Sequence, residues 1–509
     1  MKATKTNIII PLFLSTVFFS ACEKKITDNY VALVENIPIT EYEFTMRYNF
    51  NPYLTKQYDE NEAKKIVLSS LIAEKLLAIE SINSTGLNDD IQSRIDQHKR
   101  EAMIEQFRRD SVENKINITD SELRSEYQKA LKEITIKFVA FQSQDKAYQV
   151  KQNILTGKSF DQAVKNYMTE QGWGDESIPE KTIKWNTESY ELEKTLYELK
   201  PGDISNPINI NGDYYLIKIK DIKSTQNPSE ADFRDRLPAL KDYLIKEKVK
   251  IKYTNFFKNQ IEPIMGRADW QKLEYAFDVI TNEIKFDKNE SELNPLPKDK
   301  GLSDEIYLNY QARQSQLENM IVIEFPDQSN WDFKKLIYVL KYGPFAFNYK
   351  NKTAFKKSFK YNIQLALEYN AVYQLAEKAG YGQNNNVLQD TQIWESYYRA
   401  NNFRHNILRK AELNKFPADS ELFVNNAQFT PRELFRLNFI DQYLQTILKV
   451  HNIKINKKKY DTLNLEKTDM VVMKKHFANR MVVPLTEPLS SLPKWQNAIY
   501  EIFKKYGIT

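Results

Sequence analysis

The chain has 509 residues, with 73 Lys+Arg against 68 Asp+Glu and a formal charge of +5; its length predicts about three or four domains, and so small a net charge gives no reason to expect a nucleic-acid partner. Apolar residues make up 41% and charged residues 28%, enough to bury a core, which excludes wholesale disorder. Only 12 residues are Gly, one is Cys and four are His, a composition that counts against Gly-loop-rich or β-helical chains, an intramolecular disulfide, a Cys-based metal cage and a His-rich metal site.

The chain opens MKATKTNIIIPLFLSTVFFSAC, with basic Lys2 and Lys5 ahead of an apolar run from Ile8 to Phe19. That run is shorter than the ~20 residues a helix needs to cross a hydrocarbon core of ~30 Å. It matches the apolar stretch of a signal peptide. Small Ser20 and Ala21 then precede Cys22, the one Cys of the chain. This resembles a bacterial lipobox, with cleavage before Cys22 and a lipid on its thiol, although Phe19 stands where Leu is usual. The other reading is an ordinary signal peptide with an incidental Cys. No later segment has 18 consecutive apolar residues, so the anchor would be the one attachment to a membrane.

Residues 31–44 (VALVENIPITEYEF) predict a short apolar run, a turn containing Pro38, and a helix opened by a Thr40/Glu43 capping box. Residues 60–84 are amphipathic at helical spacing, with Ala63, Ile66, Val67, Leu71 and Leu77, and Gly86 supplies the stop. A charged helix follows over 89–113, then a Thr119/Glu122 capping box before 120–132. Residues 134–141 (ITIKFVAF) read as a strand. Helices are predicted over 145–156 and 160–168, separated by Gly157, and over 190–199, stopped by Lys200-Pro201-Gly202. Residues 213–222 form a second strand with Tyr215, Ile217 and Ile219 on one face. Residues 133–223 therefore make a compact α+β unit inside a helical chain.

Asn227-Pro228-Ser229 opens a long charged helix to about residue 260, and 285–304 reads as a linker or loop. Residues 320–325 (MIVIEF) predict a strand, with a helix opening at Asp332-Phe333. Residues 353–379 and 389–414 are helical by pattern, and another helix ends near 450. Prolines 484, 488 and 493 break the tail, 467–509. The stretch 424–434 shares Val, Asn, Thr and Glu with 34–44 at matched offsets, and 321–333 repeats the strand, turn and helix in outline. Duplication and convergence on a common capping pattern both account for this.

This order of segments resembles the SurA/PrsA family of exported foldases, which carry parvulin-type peptidyl-prolyl isomerase domains. The resemblance is most specific within 133–223. Thr156-Gly157-Lys158-Ser159-Phe160-Asp161-Gln162-Ala163 is similar to the family's turn after its first helix. Leu199-Lys200-Pro201-Gly202-Asp203-Ile204-Ser205-Asn206-Pro207-Ile208 is similar nearly throughout to its Leu-Lys-x-Gly-x-Ile-Ser-x-Pro-Ile segment, and Tyr214–Ile219 to its closing strand. The resemblance implies a groove for a proline-containing peptide. It also implies a His on the first strand and another on the last. Residues 133–223 contain no His: Phe138 (or Lys137, if the register slips by one) takes the first position and Tyr215 the second. The Gly-rich loop is reduced to Gly172-Trp173-Gly174, while Leu192 and Tyr197 stand at positions that line the family's apolar proline pocket.

The expected architecture is α+β: mainly helical chaperone segments with an inserted parvulin-like domain. Its parts are a signal peptide (1–21), an N-terminal helical segment (22–132), the parvulin-like unit (133–223), a helical extension and linker (224–319) and a second helical chaperone-like region (320–509). The peptide-binding candidates are Phe138, Leu192, Tyr197 and Tyr215, with lipidation at Cys22 and no confident catalytic residue. Aromatic clusters such as Tyr338, Tyr342, Phe345, Phe347 and Tyr349 fit either client-binding grooves or helical cores. His405 and His451 read as structural. With no G-x-S-x-G, H-E-x-x-H or P-loop in the chain, hydrolase and nucleotide-dependent functions lack support. No metal or cofactor is expected.

The resemblance implies a periplasmic, lipid-anchored chaperone, with the outer membrane as the expected anchor site. It would bind unfolded exported or outer-membrane proteins with weak or absent isomerase activity and involve no nucleic acid or nucleotide. An active isomerase and a structural lipoprotein subunit of an envelope assembly are the alternatives.

Overall fold

The computed structural model describes residues 30–508 except 50, 85–86, 174–176, 211, 225–227, 283, 285, 287–298, 318, 416–430, 464 and 466–492. The leader, Cys22, the stop at Gly86, Gly174 and the 424–430 part of the matched stretch lie outside the described residues.

The chain is mostly helical, with small sheets embedded in it. Strands β1 (Tyr30–Val34) and β2 (Ile37–Thr40) form a hairpin with Glu35 at φ 50° in its turn. Pro38, expected in the turn, instead sits in β2. This is an edge strand of its sheet, where a missing N–H is tolerated. Thr40 Oγ1 accepts the Glu43 amide at 3.1 Å and opens the Glu41–Asn49 helix. The Glu43 carboxylate, which a capping box would turn back onto the helix start, takes Lys75 Nζ at 2.7 Å instead. At Thr119 both halves of the box form and start the Asp120–Ala130 helix.

The other edge of β1 pairs antiparallel with the Ile453–Ile455 strand, Ala32 opposite Ile455 and Val34 opposite Ile453. The two ends of the described chain therefore share one core: Val31, Phe44 and Leu71 are buried with Leu444, Trp495 and Phe503. The Glu60–Ser84 and Asn385–Lys415 helices pack side by side through this body. His451 crosses the same junction, with Nδ1 3.1 Å from Glu35 and Nε2 2.9 Å from Glu80, a structural clasp between hairpin and helix.

A second core gathers residues from Leu273 to Leu367. There the Ile321–Glu324 strand turns back to Trp331–Asp332, and Asp332 accepts the Lys335 amide at 2.7 Å to cap the Phe333–Tyr342 helix. Hairpin followed by helix is thus common to 31–44 and 321–333. Tyr342, Phe345 and Phe347 are at most 7% exposed, so these three aromatics of the predicted cluster are buried core.

The inserted unit is a four-stranded antiparallel sheet in the order β4-β3-β6-β5, made of β3 (Lys132–Phe141), β4 (Glu180–Lys184), β5 (Ile208–Ile210) and β6 (Asp213–Ser224). Strands β3 and β6 and the helices Gln144–Leu155, Phe160–Glu170 and Tyr190–Glu198 match their predicted positions within a few residues. The short strands β4 and β5 go beyond the sequence reading. The Asp120–Ala130 and Glu230–Phe256 helices pack together beside the unit through Leu123, Tyr127, Phe233 and Leu240.

Candidate functional site

Alternation along β3 divides its side chains between two faces. Val139 and Phe141 pack with Leu216 against the helices Gln144–Leu155 and Phe160–Glu170. Lys137 reaches Asp161 of the second of these at 2.8 Å. Ile134, Ile136 and Phe138 join Ile217 and Ile219 of β6 on the opposite side. The register question is thereby decided: Phe138 shares a face with Tyr215, and Lys137 does not.

Opposite β3, β6 places Ile217 across from Phe138 and Tyr215 across from Ala140. Phe138 and Tyr215 are diagonal neighbours, close enough for aromatic rings to meet. Their centroids are 6.3 Å apart and their planes tilted by 39°. Leu192 and Leu196 of the Tyr190–Glu198 helix are buried in the same cluster, with Tyr197, Ile208 and Ile210 half-buried against it. All four candidate side chains, Phe138, Leu192, Tyr197 and Tyr215, belong to this one apolar cluster.

The segment Leu199–Ile208 is fixed to the edge of β6 by its backbone. Gly202 N–H donates to Ile219 O at 2.8 Å, Ser205 N–H donates to Ile217 O at 2.8 Å, and Ile217 N–H donates to the Ser205 hydroxyl at 3.1 Å. Gly202 holds φ at +92°, a conformation that favours glycine. The resemblance of this segment thus has a physical basis: Gly allows the turn and buried Ser205 closes the ladder.

Sequence reasoning missed the residues that set the position of the Tyr190–Glu198 helix. Glu193 is 1% exposed, and its carboxylate accepts the amides of Asn186 at 3.1 Å, Thr187 at 2.8 Å and Glu188 at 3.0 Å. Tyr243 of the Glu230–Phe256 helix donates its hydroxyl to the same carboxylate at 3.3 Å. Trp185 Nε1–H donates to Glu126 of the Asp120–Ala130 helix at 2.7 Å. The Tyr243 and Trp185 bonds connect partners about 50–60 residues apart and leave no local pattern in the sequence. The Tyr197 hydroxyl is buried with no hydrogen-bond partner among the described residues. Its burial, with Glu193 and Glu126 nearby, holds its pKa well above the usual tyrosine range.

Chemically, this face offers apolar and aromatic contact. Prolyl isomerisation makes no covalent intermediate; its barrier is ~18–20 kcal/mol, and catalysis requires tighter binding of the twisted amide than of either planar form. A proline ring can be held by such a surface. Phe138 supplies no hydrogen bond to a carbonyl, and Tyr215 carries a single hydroxyl. The described histidines lie elsewhere: His98 stacks on Trp394 with centroids 4.1 Å apart, His405 lies on the Asn385–Lys415 helix and His451 joins Glu35 to Glu80.

The PPIC-type PPIASE domain family matches residues 118–235, which include the sheet, the whole Asp120–Ala130 helix and the first turns of the Glu230–Phe256 helix. The foldase protein PrsA of Geobacillus kaustophilus is 26% identical over 209 residues, covering 35% of this chain and 72% of that protein. The foldase protein PrsA 1 of Bacillus cereus is 29% identical over 106 residues, 21% of this chain and 36% of that protein. A crystal structure of the peptidylprolyl isomerase PrsA from Bacillus cereus is similar over 54% of this chain and 94% of its own, at 12% identity and a TM-score of 0.21. The chain therefore contains a parvulin-type peptidyl-prolyl isomerase domain and shows weak, partial homology to the bacterial PrsA/SurA-type foldases.

Proposed function

We propose that the protein is an exported foldase that holds unfolded polypeptides, using the Phe138–Tyr215 face of its parvulin-type domain to grip proline-containing segments with little or no isomerase turnover. The observation that carries this reading is the aromatic pair itself. At the two strand positions where the family resemblance implies imidazoles, Phe138 and Tyr215 lie 6.3 Å apart within an apolar cluster. Binding survives such an exchange because it needs apolar area; catalysis weakens because it needs polar stabilisation of the twisted amide. The clients are unfolded exported or outer-membrane polypeptides, and the anchor is a lipid on Cys22 in a periplasm-facing membrane, the outer membrane by preference.

Purified protein is expected to suppress aggregation of a reduced, unfolded client without nucleotide. Unchanged aggregation across a broad panel of clients would refute the reading. Lipidation is tested separately, by mass spectrometry of the exported protein and of Cys22→Ser.

The domain match over 118–235 favours a second reading, an active prolyl isomerase. In that case Tyr215 is the remaining polar group on the face, and Tyr215→Phe lowers the rate of cis/trans exchange in a model X-Pro peptide. No acceleration at stoichiometric protein would dismiss it.

A further inference from the structure

A cavity of about 420 Å³ lies outside the parvulin-type domain, walled by the helices Asp89–Ser111, Lys352–Lys378 and Asn385–Lys415. Its size falls within the ~300–1,000 Å³ of small-ligand clefts. Its lining includes the aromatic side chains of Trp394, Tyr369 and Tyr42, each from a different helix. Trp394 stacks on His98, whose Nε2 lies 2.9 Å from the Tyr398 hydroxyl.

The charges around it are unevenly satisfied. Arg108 and Arg109 are engaged by Glu105 at 3.1 and 3.3 Å, and Arg108 also by Glu113 at 3.2 Å. Glu368 accepts the Tyr253 hydroxyl, and Glu101 is hydrogen-bonded by Gln97 at 3.2 Å. Asp390 differs: among the described residues its carboxyl has no hydrogen bond and no ion pair, and the charge that acts on it is another carboxylate, Glu101. Burial, with Glu101 adding to it, pushes the Asp390 carboxyl up to about 7.

A half-buried carboxyl with no protein partner among the described residues is open to the charge of a ligand that enters the cavity. Aromatic faces beside carboxylates are a setting for a cation on an apolar stem, which gains ring contact along the stem and charge pairing at its head. An anion would meet arginines already paired with Glu105 and Glu113 and carboxylates at Asp390 and Glu101. A neutral apolar group would leave Asp390 as it is.

We propose that this cavity receives a basic side chain, a guanidinium on an apolar stem, from an extended client polypeptide, with Asp390 as its charge partner and Trp394 as its aromatic wall. The polypeptide source rests on the foldase reading; the cation chemistry does not. A free organic cation has the same chemistry, and the probes separate the two sources.

The test is calorimetric titration of the full chain with three probes: an acetylated, amidated Ala-Ala-Arg-Ala-Ala peptide, its citrulline counterpart, and N-acetyl-arginine amide. The arginine peptide is expected to bind at least tenfold more tightly than the citrulline peptide, and Asp390→Asn is expected to abolish that difference. Thermal unfolding of Asp390→Asn verifies that the variant folds, since removing an unpaired carboxyl should stabilise it at pH 8. Equal binding of arginine and citrulline peptides, undiminished preference in Asp390→Asn, or no arginine binding by the wild type would overturn the cation site. Equal affinity for the peptide and for N-acetyl-arginine amide would overturn the polypeptide source and retain the site. A wild type that binds the arginine peptide but fails to suppress aggregation removes the foldase reading alone. One that suppresses aggregation without arginine binding removes the cation site alone.

Discussion

Phe138 and Tyr215 meet as diagonal neighbours across β3 and β6, their ring centroids 6.3 Å apart, half-buried beside Leu192 and Leu196 in one apolar cluster. This contact depends on strand parity. A one-residue slip of β3 would bring Lys137 to that face and send Phe138 toward Asp161. Tyr215→Phe keeps the ring and removes the hydroxyl, so binding of a proline-containing peptide should be unchanged. Phe138→Ser removes the ring and should weaken binding by at least fivefold. Titration of one labelled peptide against both variants measures this directly.

The helix beside that cluster is held by Glu193, whose carboxylate accepts the amides of Asn186, Thr187 and Glu188. A hydrogen bond to a charged group contributes about 1.5–3 kcal/mol. Glu193→Ala should therefore destabilise the segment 185–198 by roughly 3 kcal/mol or more. Amide hydrogen exchange of the full chain would show faster exchange there, with the Glu60–Ser84 helix unaffected.

The buried charges at the start of the chain form a matched set. Lys75 Nζ lies 2.7 Å from Glu43, Arg47 contacts Glu74 at 2.9 Å, and the side chains of Glu43, Arg47 and Lys75 are at most 2% exposed. Breaking one member strands its partner, at a cost of about 3–5 kcal/mol. Lys75→Met should lower the thermal midpoint sharply, and adding Glu43→Leu should recover most of the loss. A double variant no more stable than Lys75→Met would show that Glu43 is not the group left stranded.

Asp390 gives stability a pH dependence of definite sign. Its carboxyl is pushed up to about 7 in the folded chain, from an ordinary value of 3.8. Between those values the folded state binds a proton that the unfolded state has released, so this group's contribution falls as pH rises through the window and is lost above about 7. Asp390→Asn should therefore stabilise the chain at pH 8, by roughly 2–4 kcal/mol, and leave it little changed at pH 4. Denaturant titrations at both values provide the check; equal differences at pH 4 and pH 8 would contradict the assignment.

Strands β3 and β6 were legible in the sequence because β-branched and aromatic residues alternate along both. Strand β4 was not: of Glu180–Lys184 only Ile183 is buried, and β5 has three residues. The Thr40 cap could be read from spacing, but the turn of Glu43 toward Lys75 could not, since it depends on a helix 32 residues away. The pairing of Ala32 with Ile455 and the bond from Tyr243 to Glu193 are long-range and leave no periodic trace. Phe138, Leu192, Tyr197 and Tyr215 were named from a family pattern, and the fold gathers them in one cluster. Asp390 had no motif to mark it, because its distinction is the partner it lacks among the described residues.

The most direct measurement is exchange NMR on a model X-Pro peptide with stoichiometric full-length protein. Peptide resonances are predicted to shift on binding while cis/trans exchange stays at its uncatalysed rate, tens to hundreds of seconds. Acceleration of exchange that disappears in Tyr215→Phe, or no binding of the peptide at all, would contradict grip without turnover.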